Sequence, residues 1–187
     1  MINERQNDLS AMDIITTKGC IQILQPFLYN PKIEMYQSEV IKKTGVPTTR
    51  AIHLLNSLVR AGLLVEKVKA GSKFYSAMDE NPVLKQLKIL IMVSRLYDLT
   101  RGFKNYDIEM FLFGSTAKGE DTENSDIDLL VITGEDRRVI NDLIDRLKSI
   151  LDRDVNPVIY SPLEYASLYN KEKAFYDQIE RNKIRVL

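Results

Sequence analysis

Gly114-Ser-Thr-Ala-Lys-Gly-Glu-Asp-Thr-Glu-Asn-Ser-Asp-Ile-Asp128 joins a turn of small residues to two carboxylates two positions apart. Before it, Tyr106–Phe113 reads as a strand that enters the glycine turn. After it, Ser125–Thr133 reads as a second strand, rich in branched apolar residues. Alternate residues of a strand share a face, so Asp126 and Asp128 are expected to project together while Ile127 and Leu129 point to the core. Two carboxylates on one face of a rigid element repel each other unless a cation lies between them. Hard oxygen ligands favour Mg²⁺ or Mn²⁺, normally shared with substrate phosphates.

The turn has its own chemistry. Gly114 ends a strand where backbone must approach a ligand closely, and Ser115 offers a hydroxyl and an N–H to phosphate oxygens. Ser115–Lys118 reads as the opening of a short helix, whose N-terminus favours anions. The Gly-Lys-Ser/Thr ending of a Walker loop is missing, and the dinucleotide fingerprint is missing too. Gly-Ser-x-Ala-x-Gly, a short spacer, and then Ser-Asp-x-Asp-hydrophobic resembles the minimal nucleotidyltransferases of the DNA polymerase beta superfamily. That resemblance implies binding of an NTP with Mg²⁺ or Mn²⁺. Gly114, Ser115, Lys118 and Ser125 would hold the nucleotide, and Asp126 and Asp128 the metal. It also implies transfer of a nucleoside monophosphate to a hydroxyl, of a small molecule or of a protein such as a partner toxin.

Active members of that superfamily carry a third carboxylate on the next strand, read here as Asp154–Tyr160. Alignment by strand pattern puts Asn156 where the family has Asp, and Asp154, of the same parity two residues back, would substitute for it if the strand shifts. An amide oxygen ligates without bringing charge, so the catalytic set Asp126, Asp128 and Asn156 is expected to bind the nucleophile-activating metal weakly. Either a working transferase or a nucleotide-sensing regulator follows from that set. Pro157 marks this strand as irregular or at an edge. Asp136–Leu151, between the two strands, reads as an amphipathic helix with Ile140, Leu143, Ile144, Leu147 and Ile150 inward.

At 187 residues the chain suits one or two domains. Its net charge is zero, but residues 41–73 hold Lys42, Lys43, Arg50, Arg60, Lys67, Lys69 and Lys73 against the single acid Glu66, a local excess of six. Around them, helices are expected over Lys18–Leu28, over Gln37–Thr44 and from Pro47 or Thr48 to Ala61, with Ile33–Tyr36 extended. A hairpin of Leu63–Val68 and Phe74–Ala77 follows, turning at Lys69–Lys73. This order, and the segment Thr44–Leu64, resembles the winged helix-turn-helix of MarR- and ArsR-like regulators. The resemblance implies double-stranded DNA as partner, with Thr48, Thr49, Arg50 and His53 facing bases and Lys67, Lys69 and Lys73 meeting phosphates. A winged helix used only for protein contact or dimerisation is the alternative.

Pro82–Leu99 reads as one long helix capped by Asn81, which either links the halves and adds to a homodimer interface or packs on the catalytic sheet. The expected fold class is therefore α+β: a winged helix-turn-helix over 12–80, a linker helix over 81–101, and a mixed sheet flanked by helices over 102–187. Ser161-Pro-Leu-Glu164 reads as a capping box opening the C-terminal helices. One cysteine, Cys20, excludes an intramolecular disulfide and fits a reducing cytoplasm. The polar first ten residues carry no signal-peptide core, and no stretch suits a membrane span.

Overall fold

The computed structural model describes residues 10–78, 81–151 and 153–187. The polar stretch 1–9 and residues 79–80, which close the first expected domain, lie outside the described residues. The chain divides into two compact units, one up to Leu84 and the other from Lys85.

The first unit opens with α1 (Ala11–Ile15), α2 (Cys20–Leu28), the two-residue strand β1 (Met35–Tyr36), α3 (Gln37–Thr44) and α4 (Thr48–Arg60). The hairpin β2 (Leu64–Lys69) and β3 (Ser72–Ala77) completes it, in an antiparallel sheet of order β1-β3-β2. Of the extended piece expected at Ile33–Tyr36, only Met35 and Tyr36 pair, opposite Tyr75 and Phe74. Gly45 closes α3 in a left-handed conformation, at φ 65°. The hairpin turn is tighter than expected. Ala70 and Gly71 make it with φ of 48° and 76°, the paired positive angles of a type I′ turn matched to strand twist. Leu24, Phe27, Leu54, Leu55 and Leu58 are buried on the inner faces of α2 and α4. Cys20 is buried with them, and burial pushes its thiol up to about 11, which suits a packing role and not a nucleophile.

The second unit is built on a four-stranded sheet of order β6-β5-β4-β7. Its strands are β4 (Ile108–Phe113), β5 (Ile127–Thr133), β6 (Val155–Tyr160) and β7 (Ile184–Arg185). β4 pairs antiparallel with β5 and β7, while β5 and β6 run parallel through a crossover helix, α7 (Arg137–Leu151). β6 stands at the sheet edge, where Pro157 removes a ladder donor at no cost to a neighbour. On one sheet face Met110, Leu112, Leu129 and Val131 pack with Ile140, Leu143 and Leu147 of α7.

The long helix α5 (Pro82–Thr100) joins the same core through Met92 and Leu96, so it packs on this sheet, as the second of the two expectations had it. Asn81 caps α5, its side-chain oxygen accepting from the N–H of Val83 at 2.8 Å and of Leu84 at 3.3 Å. Ile150, expected to point inward, is instead 47% exposed. Leu151 takes the core position because it continues the four-residue step from Leu147. The opposite sheet face carries Phe111, Phe113 and Leu130 under α8 (Pro162–Lys171) and α9 (Lys173–Asn182), whose Ile179 closes this smaller core. Ser161 and Glu164 form the expected capping box. Three pieces, α1, a 3-10 turn over Arg101–Phe103 and the short strand β7, were not foreseen. No helix among the described residues is long and apolar enough to cross a membrane.

Candidate active site at the glycine turn

β4 ends at Phe113 and the chain turns at once into the single helical turn α6 (Gly114–Ala117). Gly114 has φ 73°, which L side chains rarely adopt. A Cβ there would overlap Oδ2 of Asp128 and lie 3.0 Å from its Cγ. The missing side chain is thus what lets the Asp128 carboxylate lie against the turn. Gly119 has a different task, since a Cβ there would overlap the backbone carbonyl oxygen of Lys85, where α5 begins. One glycine shapes the site, and the other lets a helix pack.

Asp128 is half-buried on β5, between buried Ile127 and Leu129, which face the larger core. Its register partners are Phe113 on β4 and Asn156 on β6. Burial pushes the Asp128 carboxyl above its usual range, and the charge of Asp126 adds to that push, while the Asn156 amide opposes it. Asp126 is exposed one residue before the strand. Nδ2 of Asn156 donates to Oδ1 of Asp128 at 3.2 Å. Asp154 is exposed, and its backbone carbonyl accepts from the N–H of Ile127 at 2.8 Å. The residue opposite Asp128 is therefore Asn156. Among the described residues no group of three or more acidic, histidine or cysteine side chains converges as a metal cage.

The remaining expected residues divide. Ser115 is partly buried beside Gly114, and Lys118 is exposed at the end of the turn. Ser125 is used inside its own loop, where its hydroxyl accepts from the N–H of Thr122 at 2.9 Å. An open cleft of about 850 Å³ is lined by Ser125, Asp126, Asp154 and Asn156, with Lys148 and Arg153. Sequence reasoning missed Lys88, Asp121 and Arg153, which are buried around this loop. Lys88 had a readable signal, because it sits between Leu84 and Met92 at core-facing helical spacing.

In the first unit Thr48, Thr49, Arg50 and His53 are all exposed along the first turns of α4. Nε of Arg50 donates to the carbonyl of Lys18 at 2.9 Å. The hairpin lysines have acidic partners. Lys67 meets Glu34 at 2.9 Å, Lys69 meets the other oxygen of Glu34, and Lys73 meets Glu66 at 3.0 Å. These lysines hold the Glu34 carboxyl down, to about 2. Glu34 lies outside the 41–73 window, so the charge excess counted there overstates the free positive charge at the hairpin.

Residues 98–185, which fall within the second unit, match the family model of the nucleotidyltransferase domain. No curated protein matches the chain. The crystal structure of the toxin–antitoxin MntA-HepT is similar at 23% identity over 55% of this chain and 71% of that one, with a TM-score of 0.32.

Proposed function

We propose that this protein binds an NTP together with Mg²⁺ or Mn²⁺ at the glycine turn and transfers the nucleoside monophosphate to a hydroxyl, releasing pyrophosphate. One observation carries the reading. The Asp128 carboxylate lies against a glycine that has no room for a side chain, in a position where burial and Asp126 both disfavour its charge. A fold keeps such a pair when a cation relieves it. The donor set fits one hard divalent ion held by Asp126 and Asp128, and the bound ion would supply neutralisation of the triphosphate's charge. Ser115 and the N–H groups of its turn, which a helix start leaves without intrahelical partners, would hold phosphate oxygens, with Lys118 beside them. The acceptor hydroxyl, of a protein or a small molecule, would approach through the cleft at Asp126 and Asn156.

The first unit is proposed to be a winged helix-turn-helix that binds double-stranded DNA, in a homodimer. The supporting features are the order of α2, β1, α3, α4 and the β2–β3 hairpin, and the exposed Thr48, Thr49, Arg50 and His53 on α4.

A second reading is favoured by Asn156, an uncharged amide beside Asp128 at the position that the resemblance aligns with a third carboxylate. In that reading nucleotide binding is sensed and not turned over, and it biases DNA binding. Pyrophosphate release from each of the four NTPs, for wild type and Asp126→Asn/Asp128→Asn, separates the two. Release lost in the variant establishes the transferase. Metal-dependent NTP binding without release, together with a nucleotide-sensitive shift of duplex DNA, establishes the sensor.

A further inference from the structure

We infer that Arg153, clamped by Asp121, is a positioning residue that sets the spacing between the glycine turn and the Asp126–Asp128 edge; this rests on the reading of that edge as a nucleotide site. Asp121 is only 2% exposed, and its carboxylate meets Nζ of Lys88 at 3.1 Å and Nη1 of Arg153 at 2.7 Å. Lys88, itself buried, also donates to the Asp121 carbonyl. The guanidinium then reaches two further places. Nε and Nη2 donate to the carbonyl of Ser125 at 2.8 and 2.6 Å, and Nη2 lies 3.4 Å from Oγ1 of Thr116. That hydroxyl in turn donates to the carbonyl of Asp126 at 3.4 Å.

One planar group therefore ties the α6 turn, the loop over 121–125 and the start of β6, three residues before Asn156. These are the segments that carry Ser115, Asp126 and Asn156. Buried ion pairs are weak devices for stability, because apolar packing can do as well. What this cluster supplies is direction: a rigid fork holds several acceptors at fixed angles, and a lysine cannot. Sites of this kind lose function when supporting groups let the reacting residues drift by about an ångström.

The test compares wild type, Arg153→Lys and Thr116→Val as full chains. Three quantities are read: affinity for ATP, GTP, CTP and UTP with Mn²⁺ by calorimetry, amide hydrogen exchange, and the thermal midpoint. Arg153→Lys keeps the charge beside Asp121 but loses the fork. We expect its midpoint to stay within a few degrees of wild type, nucleotide affinity to fall by about tenfold or more, and exchange to quicken over Thr122–Asp126 alone. Thr116→Val, which removes only the bridging hydroxyl, is expected to weaken binding by about threefold. Unchanged affinity in a folded Arg153→Lys overturns the inference, and so does faster exchange throughout the unit with a large fall in midpoint. Should Arg153→Lys not fold, Thr116→Val decides, and wild-type affinity there overturns it. Absence of NTP binding by the wild type would sink the nucleotide reading itself. Loop exchange in Arg153→Lys would still report on the clamp, and unaltered exchange would overturn it.

Discussion

The two units handle charge in opposite ways. On the β2–β3 hairpin Lys67 and Lys69 share Glu34, and Lys73 takes Glu66, so each cation already has a partner from its own unit. At the glycine turn Asp126 and Asp128 flank the first residue of the inner strand β5 with no convergent third acid among the described residues, and Asp128 is held above its usual pKa. A ligand of the hairpin must compete with carboxylates for exposed lysines, an exchange of small net energy. A cation at the Asp pair competes with no protein cation, only with the neutral Asn156 amide on Asp128, and relieves repulsion. The difference predicts where binding is strong. The second unit should take a metal–nucleotide ligand firmly, and the first should take polyanions weakly and in a salt-sensitive way.

The largest effect should come from removing the repelling pair. Asp126→Asn/Asp128→Asn is expected to weaken Mg-NTP binding by about 100-fold or more, since both charged ligands are lost. Titration calorimetry checks this, and undiminished affinity would place the nucleotide elsewhere. Next comes Gly114→Ala. The new methyl must displace the Asp128 carboxylate, and the backbone must hold an alanine at φ 73°. We expect a loss of about 1–3 kcal/mol in stability and at least about a tenfold loss in NTP affinity, with the fold retained. Circular dichroism in urea and the same calorimetry read the two quantities. A variant that binds as well as wild type would show that the close approach has no functional content.

How much of this was legible in the chain depended on how far apart the partners lie. Gly114, Asp126 and Asp128 fall within fifteen consecutive residues, which made the turn and the acid pair legible together; strand parity reached only Asp128, because β5 begins at Ile127 and leaves Asp126 one residue before it. Asn156 was legible through parity as well, and the register opposite Asp128 is where the strand pattern had it. The clamp was not, because Lys88 and Arg153 reach Asp121 across 33 and 32 positions and no periodicity links them. Glu34 escaped for the same reason, since only the fold brings it to the hairpin. Ile150 failed differently: it is apolar and next to a core position, and the helical turn decided between it and Leu151.

The hairpin offers the next test of the comparison. Glu34→Gln removes the shared partner of Lys67 and Lys69 while leaving both lysines in place. If the hairpin meets phosphates, the variant should bind duplex DNA a few-fold more tightly, and the dependence of log affinity on log salt should steepen by about one to two units. A gel shift or anisotropy series across salt concentrations measures both. No binding by wild type or variant at low salt would remove the DNA reading of the first unit. Binding that ignores the substitution would move the contact away from the hairpin, to the exposed residues of α4.

The smallest effect, and the one that most directly tests the contrast, is on stability without ligand. Folding raises the Asp128 pKa, so the folded chain holds that proton more tightly than the unfolded chain does. The associated stabilisation is complete below the unfolded pKa and is lost as pH rises through the folded one, leaving an ionised Asp128 that costs stability at neutral pH. Asp128→Asn should therefore melt slightly above wild type at pH 7 in chelator, by about a degree or two. The gap should close as pH falls below the carboxylate range. Added Mg²⁺ and NTP should reverse the order, raising only the wild-type midpoint, because binding to the native state alone stabilises it. The equivalent change on the hairpin, Glu34→Gln, should show the opposite sign in chelator, since the carboxylate it removes is stabilised by its lysines. Opposite signs from two single carboxylate-to-amide changes would mark one acid as kept for a ligand and the other as kept for its neighbours. Equal signs would mean that the charge arrangement does not distinguish the two units.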